Sequence, residues 1–73
     1  MTHKEKHEEI KNLLDYLELV ETLDKNKEIV RMYAAGMSAK PISNHFGISH
    51  ERVYFILRRF KRKVRNYLRD HEN

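Results

Sequence analysis

An all-α fold is predicted by three features of this chain. Its 73 residues include one proline, two glycines and 36% charged side chains, a composition that suits helices with few breaks rather than strands or a disordered linker. Apolar residues recur at helical spacing along the N-terminal, middle and C-terminal stretches,. Between them, GMSAKPISNHFGIS spells stop, cap, helix, stop, plug and cap in turn,. A chain this short buries only about 60% of the surface its unfolded form exposes, so one small core in a single domain, residues 1–73, is expected. The absence of cysteine removes disulfides and thiolate metal sites and suits a reducing cytosol. No apolar run approaches the roughly 20 residues that span a bilayer, and MTHKEKHEEI is charged where a signal peptide is apolar. A cytoplasmic protein that makes no membrane contact is expected.

Taken in order, Thr2 and Glu5 form a capping-box pair, and Ile10, Leu13, Leu14, Leu17 and Val20 follow at helical spacing. They predict one helix from about residue 3 to about residue 22. Tyr16, Leu19 and Leu23 widen its apolar stripe. Either the helix lies over the elements that follow and buries both flanks, or the second flank is a seam for a partner helix. Asp24 is the expected cap of a second helix, about residues 25 to 35, with Ile29, Met32 and Tyr33 facing the core and Gly36 ending it,. Ser38 is the expected cap of a third, with Pro41 in its first turn, where a missing N–H costs little,. From His50 no helix breaker follows, so a last helix is predicted to reach about Leu68, with Val53, Ile56, Leu57, Phe60, Val64 and Tyr67 or Leu68 as its apolar stripe,.

Residues Ala39 to Arg58, AKPISNHFGISHERVYFILR, carry the pattern of a helix-turn-helix. Ile42, Phe46, Ile48, Val53 and Ile56 take its apolar positions. Ser43 is small where the two helices cross, and Gly47 supplies the left-handed residue of the turn. Ile48 plugs the corner, and Ser49 caps the second helix. The whole is thus predicted to be a small helix-turn-helix domain with an added N-terminal helix and a long basic C-terminal recognition helix.

Charge is divided along the chain. Residues 1–28 carry five Lys against eight Asp or Glu, and residues 29–73 carry ten Lys or Arg against three acids. The first half would be repelled by phosphates, and the second suits nucleic acid or an acidic protein surface. No phosphate-cradling glycine loop, no nucleophile with a base and no paired carboxylates are present, so an enzyme is not expected. His3 and His7 stand four residues apart but lack the cysteine or carboxylate partners of a zinc site, and neither metal, cofactor nor small-molecule substrate is expected,. A binding module remains. Its contacts are expected from Ser49, His50, Glu51, Arg52, Tyr54 and Phe55, with Arg58, Arg59, Arg62, Lys63 and Arg65 placed to reach phosphates. Tyr54 and Phe55 occupy the two positions that usually point at base edges. Aromatic rings lack paired donors and acceptors and read bases poorly, apart from a thymine methyl. Beside arginine they also suit a protein-binding hot spot, and either ring can instead extend the core toward the N-terminal helix.

The segment SHERVYFILRRFKRKVR resembles the last helix-turn-helix of bacterial primary sigma factors, which reads the −35 promoter element and docks on RNA polymerase. Ser49, His50, Glu51, Arg52, Val53, Ile56, Arg62, Lys63 and Arg65 match that pattern in type or identity, whereas Tyr54 and Phe55 depart from it at the base readers. The short chain, acidic first helix and arginine-rich last helix are together similar to small regulators that lytic phages encode against host RNA polymerase. The likeness implies host bacterial RNA polymerase as partner; the residues expected to meet it are His50, Glu51, Tyr54 and Phe55. The implied activity is inhibition of initiation by interference with sigma factor, together with antitermination, in the host cytoplasm. The alternative is a sequence-specific helix-turn-helix repressor or activator. A third is an adaptor that pairs through its N-terminal helix. The oligomeric state is open.

Overall fold

The computed structural model describes residues 3–71, and side chains from Glu5 onward. Five α-helical segments follow one another: α1 (His3–Asn12), α2 (Leu17–Val20), α3 (Asp24–Ala34), α4 (Ala39–Phe46) and α5 (His50–His71), with a 3-10 turn over Leu14–Tyr16. No strand occurs among the described residues, and the fold is all-α.

The turn between α4 and α5 follows from its residues. Gly47 sits at φ 65° and ψ 37°, the left-handed region that a side chain disfavours,. This lets its own amide and that of Ile48, at 3.0 Å, both donate to the Ser43 carbonyl. Ser43 is buried at the crossing, where its hydroxyl is satisfied within its own helix by donating to the Lys40 carbonyl at 2.8 Å,. Ser49 caps α5: its hydroxyl accepts from the Arg52 amide at 3.1 Å,. Gly36, at φ 103°, ends α3 and leaves the Met37 amide bonded to the Met32 carbonyl at 3.1 Å,.

Two expected caps are not formed. Ser38 has the extended backbone of a cap but makes no side-chain cap bond. The third residue of α4 is Pro41, which lacks the amide that such a hydroxyl would bind. At α3 the cap position belongs to Leu23 rather than Asp24, which lies inside the first turn, and again no side-chain cap bond forms. There the carboxylate of Glu21 accepts from the Thr22 and Leu23 amides at 3.0 and 3.3 Å, just ahead of the helix. The Thr2 half of the expected capping box lies outside the described residues.

The largest correction concerns the first helix. Instead of running unbroken to about residue 22, it stops at Asn12, tightens through the 3-10 turn and resumes for one turn in α2, after which Glu21 is extended. The Leu13 and Tyr16 amides donate three residues back, to Ile10 and Leu13, each at 3.0 Å,. Neither glycine nor proline causes the break. The packing differs on its two sides: α1 lies against α3 and α2 against α5, with Ile10 and Leu17 buried on either side of the break. Of the second apolar flank, Tyr16 is half-buried against the core, its ring 6.2 Å from that of Tyr67, whereas Leu19 and Leu23 stay 60% and 62% exposed, so the elements that follow bury that flank only in part.

The core is one cluster in which Ile29 and Val30 of α3, Ile42 of α4, and Val53 and Phe60 of α5 are inaccessible to solvent. Met32, expected in it, is only partly buried at its edge. Along α5 the stripe from Val53 to Val64 is buried, which turns the opposite face of a 22-residue helix, about 33 Å long, to solvent.

Candidate nucleic-acid interface

The outward face of α5 follows from its buried one: at 100° per residue, side chains opposite Val53, Phe60 and Val64 are Glu51, Phe55, Arg58, Arg62 and Arg69, flanked by Arg59 and Arg65. All of these are exposed. Phe55, Arg58, Arg59, Arg62 and Arg65, with Lys61 at the margin, line one shallow concavity. Arg58, Arg59, Arg62 and Arg65 have no acidic group within ion-pair distance among the described residues.

The lysines of the same helix are placed differently. Lys61 pairs with Glu9 of α1 at 3.3 Å, and Lys63 with Glu21 at 3.2 Å. Lys63, expected among the phosphate contacts, is therefore turned to the side of the helix and occupied. Glu18 is engaged by Lys27 and Arg31 at 2.8 and 2.6 Å; their hydrogen bonds and charges outweigh its desolvation and hold its carboxyl below the ordinary value. The acidic first part of the chain thus neutralises the flanks of the fold and leaves the arginine face uncovered.

Glu21 was not expected to matter. It is 3% exposed. Burial pushes its carboxyl upward, but the Leu23 amide, Lys63, the Thr22 amide and the charge of Lys63 together more than reverse that, so it lies below its ordinary 4.5,. The sequence did contain a signal, since Glu21 continues the Ile10 and Leu17 stripe four residues on and so points inward. A carboxyl depressed in the folded state stabilises above its unfolded value, and that contribution is lost as pH falls through the lower folded value. The melting temperature is accordingly expected to drop on acidification below about pH 4.5. Glu21→Gln should flatten that descent, leaving the part due to Glu18. Thermal melts from pH 7 downward measure both.

Of the two aromatic residues at the base-reading positions, the structure separates one from the other. Tyr54 is half-buried against the core and lines a cleft between α1, α3 and α5 with Lys6, Ile10, Tyr33 and Leu57. It extends the core toward α1. Tyr33 beside it is buried, and that burial, followed by the nearby Tyr54 and Glu9, raises its phenol above the ordinary value. His7 stacks on the Tyr33 ring at 4.2 Å, and its Nδ1 lies 2.8 Å from the Tyr33 carbonyl. The His3 side chain lies outside the described residues, and no group of three potential ligands is placed to hold a metal among those described. Phe55, in contrast, is 38% exposed, with the Arg52 guanidinium 5.2 Å from its ring centroid,. Ser49, His50 and Glu51 are exposed at the same end of the helix.

Residues 27–66 match the family model described as "Helix-turn-helix domain". This span holds α4, the turn, most of α3 and the first 17 residues of α5. No curated protein and no solved structure matches the chain. No helix among the described residues is long and apolar enough to cross a membrane.

Proposed function

This chain belongs to the helix-turn-helix domain family, and on that footing we propose that it is a single-domain DNA-binding regulator of transcription whose contact surface is the outer face of α5. The observation that carries this is the division of cations on that helix. Lys61 and Lys63 are tied to acids of the first part of the chain, while Arg58, Arg59, Arg62 and Arg65 share one exposed face without an acidic partner among the described residues. Arginine forks suit phosphate oxygens, and a row along a helix that ends a helix-turn-helix follows the groove edge while the helix start meets the bases. The chain would act in the cytoplasm, where its DNA lies. The test is the salt dependence of binding to a random-sequence duplex: four phosphate contacts predict a slope of log K against log salt of about −3.6. A slope near zero would remove the arginine face from DNA contact.

A second reading has its own observation. Phe55 is an exposed ring at a position that normally reads bases, beside an arginine, and such a pair also suits a protein anchor. Under it, the chain binds bacterial RNA polymerase, hinders sigma-dependent initiation and promotes antitermination, as the likeness to sigma factors and phage regulators implies. Phe55→Ala would then weaken polymerase binding and leave random-duplex affinity unchanged; unaltered polymerase binding would exclude this surface.

A further inference from the structure

We propose that the first two turns of α5 read a thymine–guanine step in duplex DNA, with Phe55 packing on the thymine methyl and Arg52 bonding the guanine edge. The inference rests on α5 being the DNA-facing helix. The outer face of α5 changes character along its length. From Arg58 onward it is arginine-rich, which suits phosphates of any sequence, whereas the start presents Glu51, Arg52 and Phe55. A ring that is 38% exposed gains nothing from phosphates. The apolar feature that unmodified bases offer in the major groove is the thymine 5-methyl group.

Arg52 is positioned by the same ring. Its guanidinium lies 5.2 Å from the Phe55 centroid, so the cation–π contact presents the forked donors beside whatever the ring touches. The O6 and N7 atoms of guanine are the paired acceptors that match such a fork. Bases adjacent along a strand rise about 3.4 Å apart, so a guanidinium and a ring 5.2 Å apart are near enough to meet two neighbouring bases. Glu51 supplies an independent indication. It is exposed on the centre of this face, has no cationic partner among the described residues, and would be repelled by a phosphate. Against a G·C pair its carboxylate accepts from the cytosine amino group. An acid at this end therefore favours contact with base edges over sequence-blind attraction.

The experiment begins with the full chain and a pool of randomised duplexes, from which bound sequences are enriched and read. A thymine–guanine step is expected in the enriched site. The enriched duplex is then compared with one in which that thymine is replaced with uracil, a change that deletes only the methyl group. Wild type should lose about fourfold in Kd, the value of one buried methyl-sized group, and Phe55→Ala should bind the two duplexes equally. Arg52→Ala should keep the preference for thymine over uracil and lose that for guanine. Equal wild-type affinity for the two duplexes, an enriched site without the step, or binding of the pool without enrichment would each overturn this inference and leave DNA binding by α5 standing. Failure to retain any duplex would overturn the DNA-binding reading itself. Because the thymine-to-uracil comparison alters the DNA alone, it does not depend on a variant folding.

Discussion

Replacing Arg58, Arg59, Arg62 and Arg65 together with alanine is expected to lower affinity for a random duplex by on the order of 10³-fold at about 0.1 M salt, since each lost phosphate contact costs about eightfold there. The slope of log K against log salt should flatten by between about 3 and 4 in the same variant. The size of the effect depends on these four side chains lacking acidic partners among the described residues. Arginines held by carboxylates would have to exchange one partner for another and would give little, as Lys61 and Lys63 should when changed, being engaged by Glu9 and Glu21. Alanine is the strongest helix former, and all four positions are exposed, so the variant should keep its helicity and its melting temperature. Retained affinity in a folded variant would mean that the arginine row serves something other than DNA.

Phe60→Ala is expected to destabilise the fold by about 3–5 kcal/mol, the usual cost of deleting a fully buried ring. Phe60 heads the largest of the completely buried side chains, and it lies midway along the stripe that α5 turns to the core. At about 0.05–0.15 kcal/mol per residue, a chain of 73 residues has about 4–11 kcal/mol of stability in all, so this one change removes a large share of it. The consequence reaches function, because the arginine face is held outward only while the opposite stripe is packed. Denaturant melts measure the loss. A cost below about 1 kcal/mol would show that α5 is not held by this contact.

The parts of this fold that could be read from the sequence are those set by local chemistry. A left-handed turn needs Gly47, a helix crossing needs a residue as small as Ser43, and an α5 start needs an acceptor such as Ser49; each requirement acts within a few residues. The break between α1 and α2 has no such sign, because Leu13 to Tyr16 contain no breaker and the segments on its two sides pack on different neighbours, α3 and α5. Ser38 as a cap and Pro41 in a first turn are each sound by themselves, yet the proline removes the amide that the serine would bond,. The site was legible as a face but not in its pairing. Period alone puts Arg58 and Arg62 outside and Phe60 inside, while the capture of Lys63 by Glu21, 42 positions away, requires the tertiary fold. The separation of Tyr54 from Phe55 also needed it, since only the packing of α1 and α3 shows that the flank holding Tyr54 is covered.

The claim that α5 carries the DNA contact is tested most directly by following the backbone amides of the isotope-labelled chain while a random-sequence duplex is added. The predicted perturbations cluster from Ser49 through Arg65 on the helix start and the arginine face, fade as salt is raised, and leave the amides of α1 and the Leu19–Leu23 corner unchanged. Perturbations centred on that corner, or spread evenly over the fold with α5 no more affected than α1, would contradict the account.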